Sequence, residues 1–255
     1  MRKLDLQQER ALITGFIREY LKSAGFARVI FGLSGGVDSA VCAALAVEAL
    51  GKENVIAAIM PYRTSQPESL ADAGLLAGIL GIEHHVIDIT PMANAYFTTY
   101  EPEADKLRIG NWLARTRMCV LFDLSVKHRA LVMGTSNRTE LMVGYVTQFG
   151  DAACAFEPIG HLYKTEVWEL AKLLDIPEKI INKTPTADFW AGQTDEADLG
   201  LTYPVLDEIL YALTELDVNV DASENLEHPA ELYRKVERMI TASAFKRRLP
   251  PVLEN

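Results

Sequence analysis

The stretch from Val29 to Gly51, VIFGLSGGVDSAVCAALAVEALG, constrains this chain most. Val29 to Leu33 is a short run of apolar, β-branched and aromatic residues. Ala40 to Leu50 is rich in alanine and leucine and stops at Gly51, so a buried strand is expected to run into a helix. Between them lies Ser34-Gly35-Gly36-Val37-Asp38-Ser39. Paired glycines allow a tight backbone path, and Asp38 or Ser39 can cap the first helical turn. Free backbone N–H groups and the positive end of the helix dipole would then face one point, which suits a phosphate or pyrophosphate. No Gly-Lys-Ser/Thr follows the glycines and the three-glycine dinucleotide fingerprint is missing, so the loop is neither of those phosphate-binding types. Asp38 has two candidate jobs, helix cap or ligand of the Mg²⁺ that accompanies ATP.

The rest of the chain repeats the alternation. Leu4 to Ala24 reads as an amphipathic helix closed by Gly25. Val55 to Met60 is a second strand, followed by the polar loop 61–67 and a helix to Leu80. His84 to Ile89 is a third strand, Ile109 to Val126 a long helix, and Ala130 to Met133 a fourth strand. Such alternation implies a Rossmann-like α/β fold: a parallel sheet, right-handed crossovers, helices on both faces, and ligands beyond the carboxyl ends of the strands. The fourth strand delivers Gly134-Thr135-Ser136-Asn137-Arg138-Thr139-Glu140 to that edge. Asn137 and Glu140 are spaced as a variant capping box; Glu140 can alternatively meet Asp38 at a metal ion.

Further on, Lys164 stands at a helix start, where the dipole favours acids; it is either solvated or beside an anion. Residues 182–203 show no clear period and read as a lid or binding loop. Helical patterns from Pro204 to Leu216 and Pro229 to Ala244 end the chain. The whole is expected to be one domain, with C-terminal helices from about 204.

With 35 acidic and 25 basic residues, a net charge of −10 argues against a broad nucleic-acid footprint. Cys42, Cys119 and Cys154 form no CxxC pair, the five histidines show no metal-ligand spacing in sequence, and no apolar run reaches membrane-spanning length. A soluble cytoplasmic protein, bound to neither nucleic acid nor membrane, is the expectation.

The SGGVDS loop resembles that of the ATP pyrophosphatase superfamily, which cleaves ATP between the α and β phosphates. Several further segments resemble ammonia-dependent NAD synthetases: GNWLARTRM at 110–118, GTSNRTE at 134–140, GYVTQFGD at 144–151, LYKTEV at 162–167 and KTPTADFWAGQTDEADLG at 183–200. The resemblance implies ATP-dependent amidation of deamido-NAD by free ammonia through an acyl adenylate, in a homodimer whose contact is the helix at about 109–126. It implies that Gly32, Leu33, Ser34, Gly35, Gly36, Val37, Asp38 and Ser39 cradle the ATP phosphates. Thr135, Lys164 and Thr186 would also contact ATP, and Asp38 and Glu140 would hold Mg²⁺. Arg115, Gln148, Asp151 and Lys246 would contact the acceptor, with Asp38, Lys164 and Asp151 nearest the chemistry. Asp151 is also placed for a plain Gly-Asp turn, and Lys246 lies in a basic run that is usually solvated.

This chain has Gln148, Ala155 and Phe245 where the family often has Lys, Asp and His. A related ligase for another acceptor and a non-catalytic ATP-binding module are the competing readings. The roughly thirty residues before the first strand are too few for a glutaminase domain.

Overall fold

The computed structural model describes residues 2–190, 192–221 and 226–253. In chain order the elements are α1 (Leu6–Ala24), β1 (Arg28–Gly32), α2 (Val37–Leu50), β2 (Val55–Ile59), α3 (Pro67–Leu80), β3 (Glu83–Val86), α4 (Thr90–Tyr100), α5 (Lys106–His128), β4 (Ala130–Val132), α6 (Arg138–Val143), α7 (Lys164–Leu173), α8 (Glu178–Ile181), α9 (Asp195–Leu199), α10 (Tyr203–Thr214) and α11 (Ala230–Ala242). The strands form one parallel sheet in the order β3-β2-β1-β4. From β1 the chain steps outward to β2 and β3 and then returns to place β4 on the other side of β1. The order therefore reverses between β1 and β4, and a crevice opens at their carboxyl ends.

Alternation along the strands explains the layers. Val29 and Phe31 of β1 face a core shared with α1, α2, α7 and α8, while Ile30 faces a second core with α4, α5 and Val132. A third core joins α6 to α9, α10 and α11. Buried Asp207 on α10 ties this part to the rest, accepting from the Thr139 hydroxyl at 2.5 Å and the Thr165 N–H at 2.8 Å.

Three expected features differ, and one helix, α4, was not expected. Gly36, rather than Asp38 or Ser39, is the cap residue of α2, and no side chain bonds the first-turn N–H groups from that position. The third strand ends at Val86, three residues early, because Asp88 accepts from the Thr90 N–H and the chain turns into α4. That helix carries Thr90, Thr98 and Thr99 among its aromatics, so its periodicity is weak. It is held instead by stacking of Tyr96 on Trp112 of α5, with centroids 3.9 Å apart. The 182–203 segment is not irregular throughout: it contains α9, capped by Thr194, whose side chain accepts from the Ala197 N–H. Ala191, within this segment, lies outside the described residues.

Candidate active site

The loop from β1 to α2 is shaped by its own hydroxyls. Ser34 and Ser39 lie 3.1 Å apart, the Gly36 N–H donates to Ser34 Oγ, and Ser39 Oγ donates to the Gly36 carbonyl. Gly35 has φ +78°, and a Cβ there would run into the Ser69 carbonyl, so only glycine closes this turn against α3. The uncapped N-terminus of α2 opens into the crevice as a ready anion site.

Beside it, three charged side chains meet. Lys164 Nζ donates to Asp38 Oδ2 at 2.5 Å and to Glu140 Oε1 at 3.3 Å. The remaining oxygens meet Asn137: its side-chain amide donates to Asp38 Oδ1 at 2.9 Å, and its N–H donates to Glu140 Oε2 at 3.3 Å. Asn137 also accepts from the Glu140 N–H, so the capping box forms and the same carboxylate still reaches Lys164. The Lys164 side chain is 3% exposed. A solvated lysine is ruled out, and the anions beside it are the chain's own. Burial alone would lower the pKa of Lys164, but the Asp38 and Glu140 carboxylates outweigh it and hold the ammonium charged. Burial pushes Glu140 up to about 8, with repulsion from Asp38 and Asp195 adding to it and Lys164 opposing it.

Asp38 and Glu140 are hard oxygen donors from two different strand ends, the type of pair that Mg²⁺ uses together with substrate phosphates. Each carboxylate offers about four lone-pair positions, so the contacts to Asn137 and Lys164 leave capacity for an ion. The donor set fits Mg²⁺.

The crevice has a volume of about 310 Å³. Ala58, Ile59, Met60, Leu121 and Val132 give it an apolar wall, and the charged cluster of Asp38, Glu140 and Lys164 also lines it. Gly32, Leu33, Ser34, Gly36, Val37, Asp38, Ser39, Thr135, Glu140, Asp151, Lys164 and Thr186 all line it. Gly35, packed against Ser69, does not, and neither do Arg115, Gln148 and Lys246. The last three gather nearby instead, where Arg115 donates to the Gln148 carbonyl at 3.2 Å and Lys246 Nζ donates to the Gly144 and Val146 carbonyls, each at 2.8 Å. Lys246 is thus not a free solvated cation. Asp151 joins the two regions: its carboxylate accepts from the Thr147 N–H, which closes the turn, and it borders the crevice. Of the three unusual positions, Ala155 packs against the first core and gives its carbonyl to the Tyr20 hydroxyl, while Phe245 is exposed.

Arg117, which like Arg115 has no acid three or four residues away on its helix and so points to an anionic substrate or a second subunit, lies in the cleft, and several residues in or beside it escaped the sequence reading. Arg117 donates from Nε to the Met60 carbonyl and lies over the Phe189 ring. Tyr145 donates to Asp195 and Asp198, and Lys183 donates to Ser69 and Asp72. Glu157 accepts from the Ser136 N–H and from Cys154, and burial raises its pKa to about 8. A Cβ on Gly134 would strike the Glu157 carboxyl. The one available signal was a single acid in an otherwise apolar run, Ala152 to Ile159.

A parallel sheet with an open helix N-terminus and two strand-end carboxylates at its switch point defines a Rossmann-like α/β nucleotide-binding protein. The family model for NAD synthase matches residues 10–250, and this chain belongs to that family. It is 49% identical over 252 residues to the NH(3)-dependent NAD(+) synthetase of Fusobacterium nucleatum, covering 98% of this chain and 97% of that one. Among solved structures it resembles the NH3-dependent NAD synthetase of Campylobacter jejuni in complex with nitrate, at 36% identity and TM-score 0.84, over 99% of this chain and 100% of that one. It also resembles NMN synthetase from Francisella tularensis, at 31% identity and TM-score 0.87, over 99% of this chain and 100% of that one.

Proposed function

We propose that this chain makes NAD from deamido-NAD, ATP and free ammonia. The carboxylate of deamido-NAD attacks the α-phosphorus of ATP, the bond to the bridging oxygen breaks, and pyrophosphate leaves. Ammonia then attacks the acyl carbon, AMP departs with the C–O electron pair, and one proton is released. The observation that carries the proposal is the meeting of Asp38, Glu140 and Lys164 beside the uncapped start of α2. A carboxylate is a poor acyl donor, and adenylation supplies its leaving group at the cost of charge building on pyrophosphate. In this reading the N–H groups at the start of α2 and the Lys164 ammonium offset that charge. Mg²⁺ held by Asp38 and Glu140 would supply further electrostatic stabilisation when bound.

Thr135 and Thr186 contact ATP in this scheme, and the apolar wall from Ala58 to Val132 takes the adenine ring. Arg115, Gln148, Asp151 and Lys246 form the acceptor side. The reading takes the whole chain as one domain working as a cytoplasmic homodimer with the long α5 at the contact. Support for that contact comes from Leu107, Phe122 and Val126, which α5 leaves exposed.

A second acceptor stays in view because of the likeness to NMN synthetase and because Gln148, Ala155 and Phe245 depart from the family at positions that the resemblance puts around the acceptor. The purified chain given Mg²⁺-ATP and ammonium should release pyrophosphate with deamido-NAD in preference to the corresponding mononucleotide carboxylate. Preference for the mononucleotide would transfer the same chemistry to the smaller acceptor.

A further inference from the structure

At the other end of the sheet from the crevice, three side chains with metal-ligand chemistry converge. Glu83 and His85 are two residues apart on β3 and so leave the strand on one face. His128, the last residue of α5, meets them there. Glu83 Oε1 lies 3.2 Å from His85 Nε2 and 4.0 Å from His128 Nδ1, and the two imidazole centroids are 5.0 Å apart. One ligand atom from each residue lies within 4.8 Å of the others. A tetrahedral zinc ion with bonds near 2.0–2.1 Å sets neighbouring ligand atoms about 3.3 Å apart. The Glu83–His85 separation already matches, and small side-chain rotations bring in His128. The Nε2 atoms of both histidines are withdrawn from solvent and make no hydrogen bond. Carbonyls at the end of α5 add a field that favours a cation.

We propose that Glu83, His85 and His128 form a three-ligand site for a divalent transition metal of the zinc type, with water in the fourth position. Two imidazoles and one carboxylate suit Zn²⁺, whereas Mg²⁺ prefers an all-oxygen shell. The ion would pin β3, an edge strand that among the described residues pairs with β2, to the end of α5. The site serves stability and is independent of the amidation.

Zn²⁺ titrated calorimetrically into the chelator-treated full chain, in excess Mg²⁺ to fill the carboxylate pair of the crevice, tests this. One equivalent should bind to the wild type and to Asp38→Asn, and should raise the thermal midpoint of both. His85→Gln and His128→Gln should each weaken binding by at least about tenfold. Glu83→Gln, at a half-exposed side chain, should do the same and guards against a histidine variant that fails to fold. Co²⁺ bound in place of Zn²⁺ should show the visible absorption of a four-coordinate site. No Zn²⁺ uptake by the wild type, uptake unchanged in all three ligand variants, or uptake lost in Asp38→Asn would overturn the proposal.

Discussion

Lys164 opens α7, where the helix dipole disfavours a cation, yet its ammonium is buried against two carboxylates from other elements. That conflict was readable from position alone; the identity of the anions was not, because Asp38 and Glu140 lie 126 and 24 residues away. Asp38→Asn and Glu140→Gln should each slow pyrophosphate release by about a hundredfold or more, the scale at which loss of a group stabilising developing charge is felt. Arg115→Ala should chiefly raise the KM for the acceptor, which steady-state kinetics separates from kcat.

The raised pKa of Glu140 adds a pH dependence to the proposed metal site. With its carboxyl pushed up to about 8, Glu140 would bind the proposed Mg²⁺ in competition with a proton at neutral pH. At fixed ATP, the apparent affinity for Mg²⁺ should rise about tenfold per pH unit up to about pH 8 and level off above it. A flat profile of the KM for Mg²⁺ would place the ion elsewhere.

Among the elements, β1, β2, β4 and the long helices were legible because their apolar patterns are also their packing patterns, whereas β3, a largely exposed Glu83-His84-His85-Val86 run, has no such pattern. α4 was not, since its stability comes from Trp112 on a neighbouring helix. The 182–203 segment, with α9 inside it, is pinned to the rim: Lys183 bonds Ser69 and Asp72, the Gln66 N–H donates to Asp188, and Asp195 accepts from Tyr145 and Tyr203. Apart from Tyr203, eight residues from Asp195, these partners are distant in sequence, so no local pattern could reveal them. Several of its residues border the crevice and would meet bound nucleotide. Limited proteolysis should cut within 182–203 in the free protein and be suppressed by ATP with deamido-NAD; equal cutting in both conditions would remove the role as a closing segment.

For the whole molecule, the alternation of strand and helix in sequence was enough for the sheet, its direction and the place of the crevice. The third core was legible only as two helical patterns. Its attachment depends on Asp207, a buried carboxyl raised to about 6 by burial and satisfied by Thr139 and Thr165 from α6 and α7. Assembly can be tested on α5, where Val126 is 80% exposed and Phe122 lies on the same helix. Phe122→Asp with Val126→Asp should convert a dimer to a folded monomer in light scattering and raise the KM for deamido-NAD. A dimer that survives both changes would move the contact to another face.

The most direct measurement is NAD and pyrophosphate formation by the purified chain with Mg²⁺-ATP and deamido-NAD, supplied with either ammonium or glutamine. The proposed reaction predicts equal amounts of NAD and pyrophosphate with ammonium and none with glutamine. Saturable ATP binding by the folded chain, with neither product formed from either nitrogen source, would contradict it.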